Sequence, residues 1–480
     1  MRTLIVLTMV VFLSACSDGG GVNTGTCLIS DTDTSNTSYG EFTSIQKQYS
    51  LTKDYVASKM SETSSELAAA ITSGVHVYKI SYNSKITSAD TETIKASGLL
   101  IVPYTACTDA DNTAPWMVLN HGTIVDNASA PSNNLREGLF EGGLGFITVV
   151  PDYIGFGDSY VNDPSVRIHP YIIADTYATD GYAIMNAATQ VLTTNGITPG
   201  NLYLKGYSEG GYAALALQRS LETLKASGQT DFTITASAPS AGPYSTVGLG
   251  AALTTSLADT TISPTLMAYL ATSYYYNYPT TVGAAYDIVD VFKKSNEYDV
   301  ETIFDGTKSS TETEAIYASL GISTINTLLE PDVVSAMATD TLAIATGAAA
   351  ISGDAGASFG AAIAGMTDAF SSALFTNDIL YTALAGVASF APNVPTIFYH
   401  CSDDETIYPS ATAGAVATFT GLGSTSIFSN TSQTGGHSGC GFTLTPSLCF
   451  KEIEEKLAEN ETNTVAGYLA SPDAGSYCNN

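Results

Sequence analysis

Residues 202–217 read LYLKGYSEGGYAALAL. The run Leu202-Tyr203-Leu204-Lys205 has the alternating apolar and β-favouring character of a strand, and Gly211-Tyr212-Ala213-Ala214-Leu215-Ala216-Leu217 is a good helix former. Between them lies Gly206-Tyr207-Ser208-Glu209-Gly210, a G-x-S-x-G pattern. A serine on a sharp strand-to-helix turn is lifted above the sheet, with backbone N–H groups beside it and glycines giving room. The pattern recurs at Gly356-Ala357-Ser358-Phe359-Gly360, inside ISGDAGASFGAAIAG, where no β-branched run precedes it. Context therefore selects Ser208 and assigns Ser358 to a loop.

Working outward, strand-like runs stand at 75–82 (VHVYKISY), 96–102 (ASGLLIV), 116–120 (WMVLN), 146–151 (FITVVP) and 232–236, and helical periodicity covers 176–194 and 210–224. The alternation β-α-β-α-β predicts parallel strands with helical crossovers. Residues 39–73 have roughly helical spacing, clearest in SSELAAAI. From 244 to 391 strand signals fade into Ala/Thr/Ser-rich sequence with helix-like pieces such as YDIVDVFKKS and TDAFSSALFT. Strand character returns at 394–399 (VPTIFY) and 424–428, and a helix closes the pattern near 447–460. A block of this length between two strands of one sheet is too long for an ordinary crossover and reads as an inserted helical cap.

A serine becomes a nucleophile when a histidine takes its proton and an acid fixes that histidine's tautomer. In sheets of this kind the order is Ser, acid, His, with the acid on the loop after a late strand. Of the five histidines, His437 in Thr434-Gly435-Gly436-His437-Ser438-Gly439 lies after such a segment. His76, His121, His169 and His400 suit packing or other motifs. The acid comes from CSDDETIYP, where Asp403 and Asp404 compete; Asp404 has the better spacing to Ile407, leaving Asp403 to bond within its own turn. The oxyanion donors would be the N–H of Glu209 and that of Gly122 or Thr123, in the Asn120-His121-Gly122-Thr123 loop. Pro151-Asp152-Tyr153-Ile154-Gly155-Phe156-Gly157-Asp158-Ser159 follows the next strand and would support the site.

Together NHGT, PDYIGFGDS, GYSEGG, the DDETIYP turn and GGHSG make the chain, from residue 75 onward, resemble the α/β-hydrolases, in particular the secretory lipase family. The resemblance implies an α/β-hydrolase fold, a mostly parallel central sheet flanked by helices, with residues 39–243 and 392–480 as catalytic domain and 244–391 as cap or lid. It also implies hydrolysis of carboxylic esters through an acyl-enzyme on Ser208, His437 and Asp404, acting on small-molecule or lipid esters, with no metal or organic cofactor. A serine peptidase of the prolyl oligopeptidase type shares the triad and its order. It usually carries a β-propeller ahead of the catalytic domain, for which this chain has no room. A non-catalytic binding protein on the same fold is a further alternative, disfavoured because all three triad residues are present.

The first fifteen residues, MRTLIVLTMVVFLSA, carry one Arg and an apolar run too short to span a membrane, and Cys16 follows Leu13-Ser14-Ala15. This resembles a bacterial lipoprotein signal, which implies cleavage before Cys16, lipidation of Cys16, a membrane anchor, and a tether over 16–38 that is flexible and polar at 17–26. An ordinary secretory signal is the alternative. Either reading exports the protein, and the other six cysteines could then form up to three disulfides. Cys440–Cys449 is the easiest local loop, and Cys401–Cys440 becomes possible in the fold above. The net charge of −29, from 46 acidic against 17 basic residues, excludes nucleic acid as a partner.

Overall fold

The computed structural model describes residues 28–478 apart from 108–111, 163–165, 256–262, 295–297, 350–364, 385–389, 441–443, 460–463, 472–473 and 476. Cys16, the signal segment, Cys27 and the Ser358 copy of the serine motif lie outside the described residues.

Ten strands form one sheet: β1 (Thr32–Asp33), β2 (Phe42–Leu51), β3 (Val75–Ser84), β4 (Ile94–Pro103), β5 (Thr113–Asn120), β6 (Ile147–Pro151), β7 (Thr198–Tyr207), β8 (Ile234–Ser240), β9 (Thr396–Tyr399) and β10 (Ile427–Asn430). Their spatial order is 1-2-3-4-6-5-7-8-9-10. From β6 to β10 every neighbour is parallel, whereas β1 to β4 are antiparallel to one another and β4 is antiparallel to β6. The central strands read as continuous apolar runs because both faces are covered. Val118, Val149 and Leu204 face a core formed with the helices Ala174–Thr194 and Glu209–Ala226. Met117, Val150 and Tyr203 face the opposite core, with Phe140, Phe450 and Ile453 from the helices Leu139–Leu144 and Thr445–Ala458. The chain reverses its direction of sheet growth between β5 and β7. Open parallel sheets bind ligands at the carboxyl ends of strands flanking such a point. Asn120-His121 and Tyr207-Ser208 are there.

Between β8 and β9 the described elements are helices joined by turns, including Thr246–Thr255, Pro264–Asn277, Pro331–Ala349 and Ala369–Asn377. Their aromatic and aliphatic side chains, among them Tyr269, Tyr274, Phe304, Tyr317 and Phe370, share a core with Tyr153, Tyr171 and Tyr212 from below. YDIVDVFKKS yields a helix only at Ile288–Val291, after which Phe292 bridges to Leu329.

Three expectations are corrected and one open choice is decided. Residues 42–51, expected to be helical, form β2. Its mixed sequence FTSIQKQYSL has only one well-buried face and pairs antiparallel with β3, while helices follow at Lys53–Ser61 and Ser65–Ala70. Residues 28–38, assigned to a tether, join the fold: β1 pairs with β2, and buried Ile29 donates its N–H to the Tyr78 hydroxyl at 2.9 Å. Of the two pairings left open, Cys401–Cys440 forms and Cys440–Cys449 does not, Cys449 pairing with Cys478 instead. Asp403 bonds outside its own turn, as described below. Cys107 is disulfide-bonded as well. Disulfides of this kind belong to proteins that fold in an oxidising compartment outside the cytoplasm, and none of the described helices is long and apolar enough to cross a membrane.

Candidate active site

Ser208 has φ 61° and ψ −124°, a strained conformation for a residue with a side chain, and it caps the helix Glu209–Ala226 directly after β7. Close packing makes the turn possible. A Cβ at Gly206 would come 1.9 Å from the Gly210 carbonyl oxygen, one at Gly210 would come 2.1 Å from that of Asn120, and one at Gly211 would come 2.1 Å from that of Ser240. The Ser208 N–H is held by the Ser240 carbonyl at 3.0 Å. Glu209 opens the helix, where backbone N–H groups have no carbonyl behind them.

His437 Nε2 lies 2.8 Å from Ser208 Oγ, and His437 Nδ1 lies 2.7 Å from Asp404 Oδ2. Asp404 is buried, and its other oxygen accepts the N–H groups of Thr406 and Ile407, both at 2.9 Å. Burial alone would raise its pKa; hydrogen bonds from His400 and His437 outweigh it and hold the carboxyl well below the usual carboxylate range. Three consecutive carboxylates hold the histidine loop. Asp403 accepts the N–H groups of Gly435 (2.9 Å) and Gly436 (3.1 Å), Asp404 accepts the imidazole, and Glu405 accepts the His437 N–H at 3.0 Å. Gly435 and Gly436 adopt φ of 146° and 64°, which the loop needs to turn its amides onto Asp403. Tyr207 donates to the His437 carbonyl at 3.0 Å, and the Cys401–Cys440 disulfide ties the two loops together three residues from Asp404 and from His437.

Sequence reasoning missed the anchoring by Asp403, Glu405 and Tyr207. It also took His400 for a packing residue, although His400 Nε2 stands 3.2 Å from Asp404 Oδ2. The visible signal was the run Asp403-Asp404-Glu405 facing a glycine-rich histidine loop.

Gly122, Thr123, Ser208 and His437 line one cleft of about 380 Å³, together with Asn134, Arg136 and Glu137. The loop carrying Gly122 and Thr123 is braced from PDYIGFGDS. Tyr153, at φ 68°, donates to the His121 carbonyl at 2.9 Å and stacks on the His121 ring with centroids 4.0 Å apart. Buried Asp152 accepts from Ser97 and Ser132 and so ties that motif to β4 and to the 126–137 loop. A second cavity of about 440 Å³ is lined mainly by apolar residues, including Leu249, Met267, Leu270, Leu380 and Ile407; Leu266 and Thr406 line both spaces.

This sheet order, with β4 antiparallel beside the parallel strands, the serine on the β7 elbow and the acid and histidine after β9 and β10, is the α/β-hydrolase fold. Solved structures of esterases and lipases are among those similar to it. They include the rice cell wall degrading esterase LipA from Xanthomonas oryzae, with TM-score 0.65 and 22% identity over 88% of this chain and 100% of that one. Lipase A from Candida antarctica is similar with TM-score 0.57 and 13% identity over 89% and 84%. No family model matches the chain, and neither does any curated protein.

Proposed function

We propose that this protein is a serine hydrolase of carboxylic esters that works through an acyl-enzyme. The observation that supports this most is the continuous hydrogen-bond chain Asp404–His437–Ser208, with both links under 3 Å, opening on a cleft. Ser208 Oγ attacks the ester carbonyl carbon while His437 Nε2 takes its proton. The negative oxygen of the tetrahedral adduct receives the N–H of Glu209 and that of Gly122 or Thr123. The imidazolium then protonates the departing alkoxide as the C–O bond breaks, leaving the acyl group on Ser208. Water attacks that acyl group with His437 again accepting the proton, and the carboxylic acid leaves as Ser208 regains its hydrogen. Asp404 keeps Nδ1 protonated and so presents Nε2 as the base.

The segment 244–391 acts as a cap, and the larger cavity takes the acyl chain. Each methylene buried there would contribute about 0.8 kcal/mol. A lipid on Cys16 would anchor the enzyme to a membrane. Turnover of p-nitrophenyl butyrate, with covalent labelling of Ser208 by a fluorophosphonate located by peptide mass spectrometry, tests the reading. Absence of both turnover and labelling rejects it, and preferential cleavage of aminoacyl anilides would move the assignment to a peptidase.

A further inference from the structure

Tyr171 touches both the presumed acyl cavity and the loop that faces the reacting carbonyl. Its buried ring lines the 440 Å³ cavity, and its hydroxyl lies 3.3 Å from Thr123 Oγ1 in the Ser208 cleft. The segment carrying Tyr171 is fixed on both sides. From above, Tyr269 of the helix Pro264–Asn277 stacks on Tyr171 at 4.7 Å, Ser273 donates to the Tyr171 carbonyl, and Tyr274 donates to the Ile172 carbonyl at 3.0 Å. From below, the Ile172 N–H is held by the Tyr177 hydroxyl at 3.0 Å. Tyr177 and His169 in turn reach the buried Glu209 carboxylate at 2.9 and 3.1 Å, on the residue that follows the nucleophile. Ile172, a β-branched residue, is held at φ 56°, a conformation that persists only when its surroundings enforce it.

We propose that Tyr171 couples occupancy of the apolar cavity to the oxyanion hole, so that a longer acyl chain raises kcat and not only affinity. This rests on the ester-hydrolase reading above. Tyr171 stacks on Tyr269 and lines the cavity, and its 3.3 Å link to Thr123 is long for a hydroxyl pair. An acyl chain in the cavity adds contacts to the ring, presses it onto its Tyr269 stack and shortens the hydroxyl link. Thr123 is then fixed with its N–H toward the developing oxyanion. Binding energy from a part of the substrate remote from the reaction is thereby expressed in the transition state, which is how it raises kcat. Tyr171 is a positioning residue in this scheme, since it touches the acyl chain and acts on the reacting atoms through Thr123.

The test compares soluble p-nitrophenyl acetate and octanoate, the latter below its micelle concentration, in the wild type and in Tyr171→Phe, which keeps the ring and removes the hydroxyl. The wild type should show kcat about tenfold higher on octanoate, the worth of one well-made hydrogen bond. In Tyr171→Phe the kcat ratio should fall to within about twofold of unity, while KM still decreases with chain length. A merely structural role would lower both kcat values together and leave their ratio alone, and that outcome overturns the coupling. So does a wild-type kcat that does not rise with chain length. Thr123→Val removes the partner hydroxyl while keeping the backbone N–H. It should flatten the ratio in the same way, and it serves as the test if Tyr171→Phe does not fold. A protein that turns over neither ester fails the hydrolase reading itself, whereas turnover with an unaltered ratio fails the coupling alone.

Discussion

Three side chains carry the chemistry assigned here, and each is placed by a different kind of force: Ser208 by backbone strain, His437 by amide anchors, Asp404 by a cage of donors. Because they act as one unit, Ser208→Ala and His437→Ala should each lower kcat on a short-chain ester by about 10⁴-fold or more, and the double variant should lose little beyond either single one. Additive losses would separate the two residues. Asp404→Asn should cost several orders of magnitude by removing the partner of Nδ1. Asp403→Asn keeps an oxygen for the Gly435 and Gly436 amides and should cost about tenfold or less, since neutral acceptors are roughly half as strong as charged ones. Equal losses in steady-state kinetics would make Asp403 part of the catalytic unit. The positions of Ser208, Asp404 and His437 were legible because strand, turn and glycine context carry a sequence signature. For the anchors Asp403 and Glu405 the acidic run was the only signal, since what they bind is backbone N–H, which every residue but proline supplies.

At the level of elements, the elbow and the loop after β5 are packed so tightly that one added methyl group must move backbone. Gly210→Ala sets a Cβ against the carbonyl oxygens of Asn120 (2.1 Å) and His121 (2.7 Å), and so pushes the nucleophile away from the loop holding Gly122 and Thr123. A displacement of this kind should lower kcat by about 100-fold with KM little changed, because it spoils alignment and leaves binding surface intact. Wild-type kcat in that variant would show that the two arms need not stay in register. The helix Ala174–Thr194 carries a different stress. Its buried Asp180 accepts from Tyr82 (2.9 Å) and Ser84 (2.8 Å) through one oxygen, while the other has no partner. Burial pushes its pKa up to about 7, with the nearby Asp152 carboxylate pushing the same way and the hydrogen bonds from Ser84 and Tyr82 opposing. The native state therefore holds a proton that the unfolded chain releases near pH 4. Stability falls as pH rises from about 4 to about 7 and is flat above, a loss of at most about 4 kcal/mol. Asp180→Asn should thus leave Tm nearly unchanged at pH 4.5 and raise it at pH 8, read by calorimetry; a variant less stable at pH 8 would mean that the ionised carboxylate is favoured there. Elements of the parallel half of the sheet were legible because burial on both faces leaves unbroken apolar runs. Of the antiparallel strands, β3 and β4 were legible as apolar runs but β1 and β2 were not: β2 exposes one face, and its polar residues mimic helical spacing.

The whole molecule combines a large negative charge with a fold whose functional edge is one end of the sheet. Its excess of 29 negative charges is self-repelling, so screening should stabilise it. Tm should rise by a few degrees between 10 and 500 mM NaCl, and a falling Tm would point instead to exposed ion pairs as the dominant electrostatic contribution. Charge also bears on how the chain would sit at a membrane. Anionic lipid headgroups repel such a protein, so the attachment proposed above would rest on a lipid at Cys16. The described chain joins the sheet at Ile29 and β1, on the antiparallel edge, whereas Ser208 lies at the carboxyl ends of the parallel strands. The proposed anchor would thus enter the fold by a different edge from the one that carries the proposed site. Cys16→Ala, expressed with its leader intact, should move the enzyme from the membrane to the soluble fraction and leave kcat/KM on p-nitrophenyl butyrate within about twofold of the wild type, since nothing that binds the reacting ester has changed. Fractionation of both forms, followed by the same assay on each fraction, checks this directly. Retention of the variant on membranes would assign attachment to the protein surface, and a large fall in kcat/KM of the released enzyme would tie the N-terminal edge to the site.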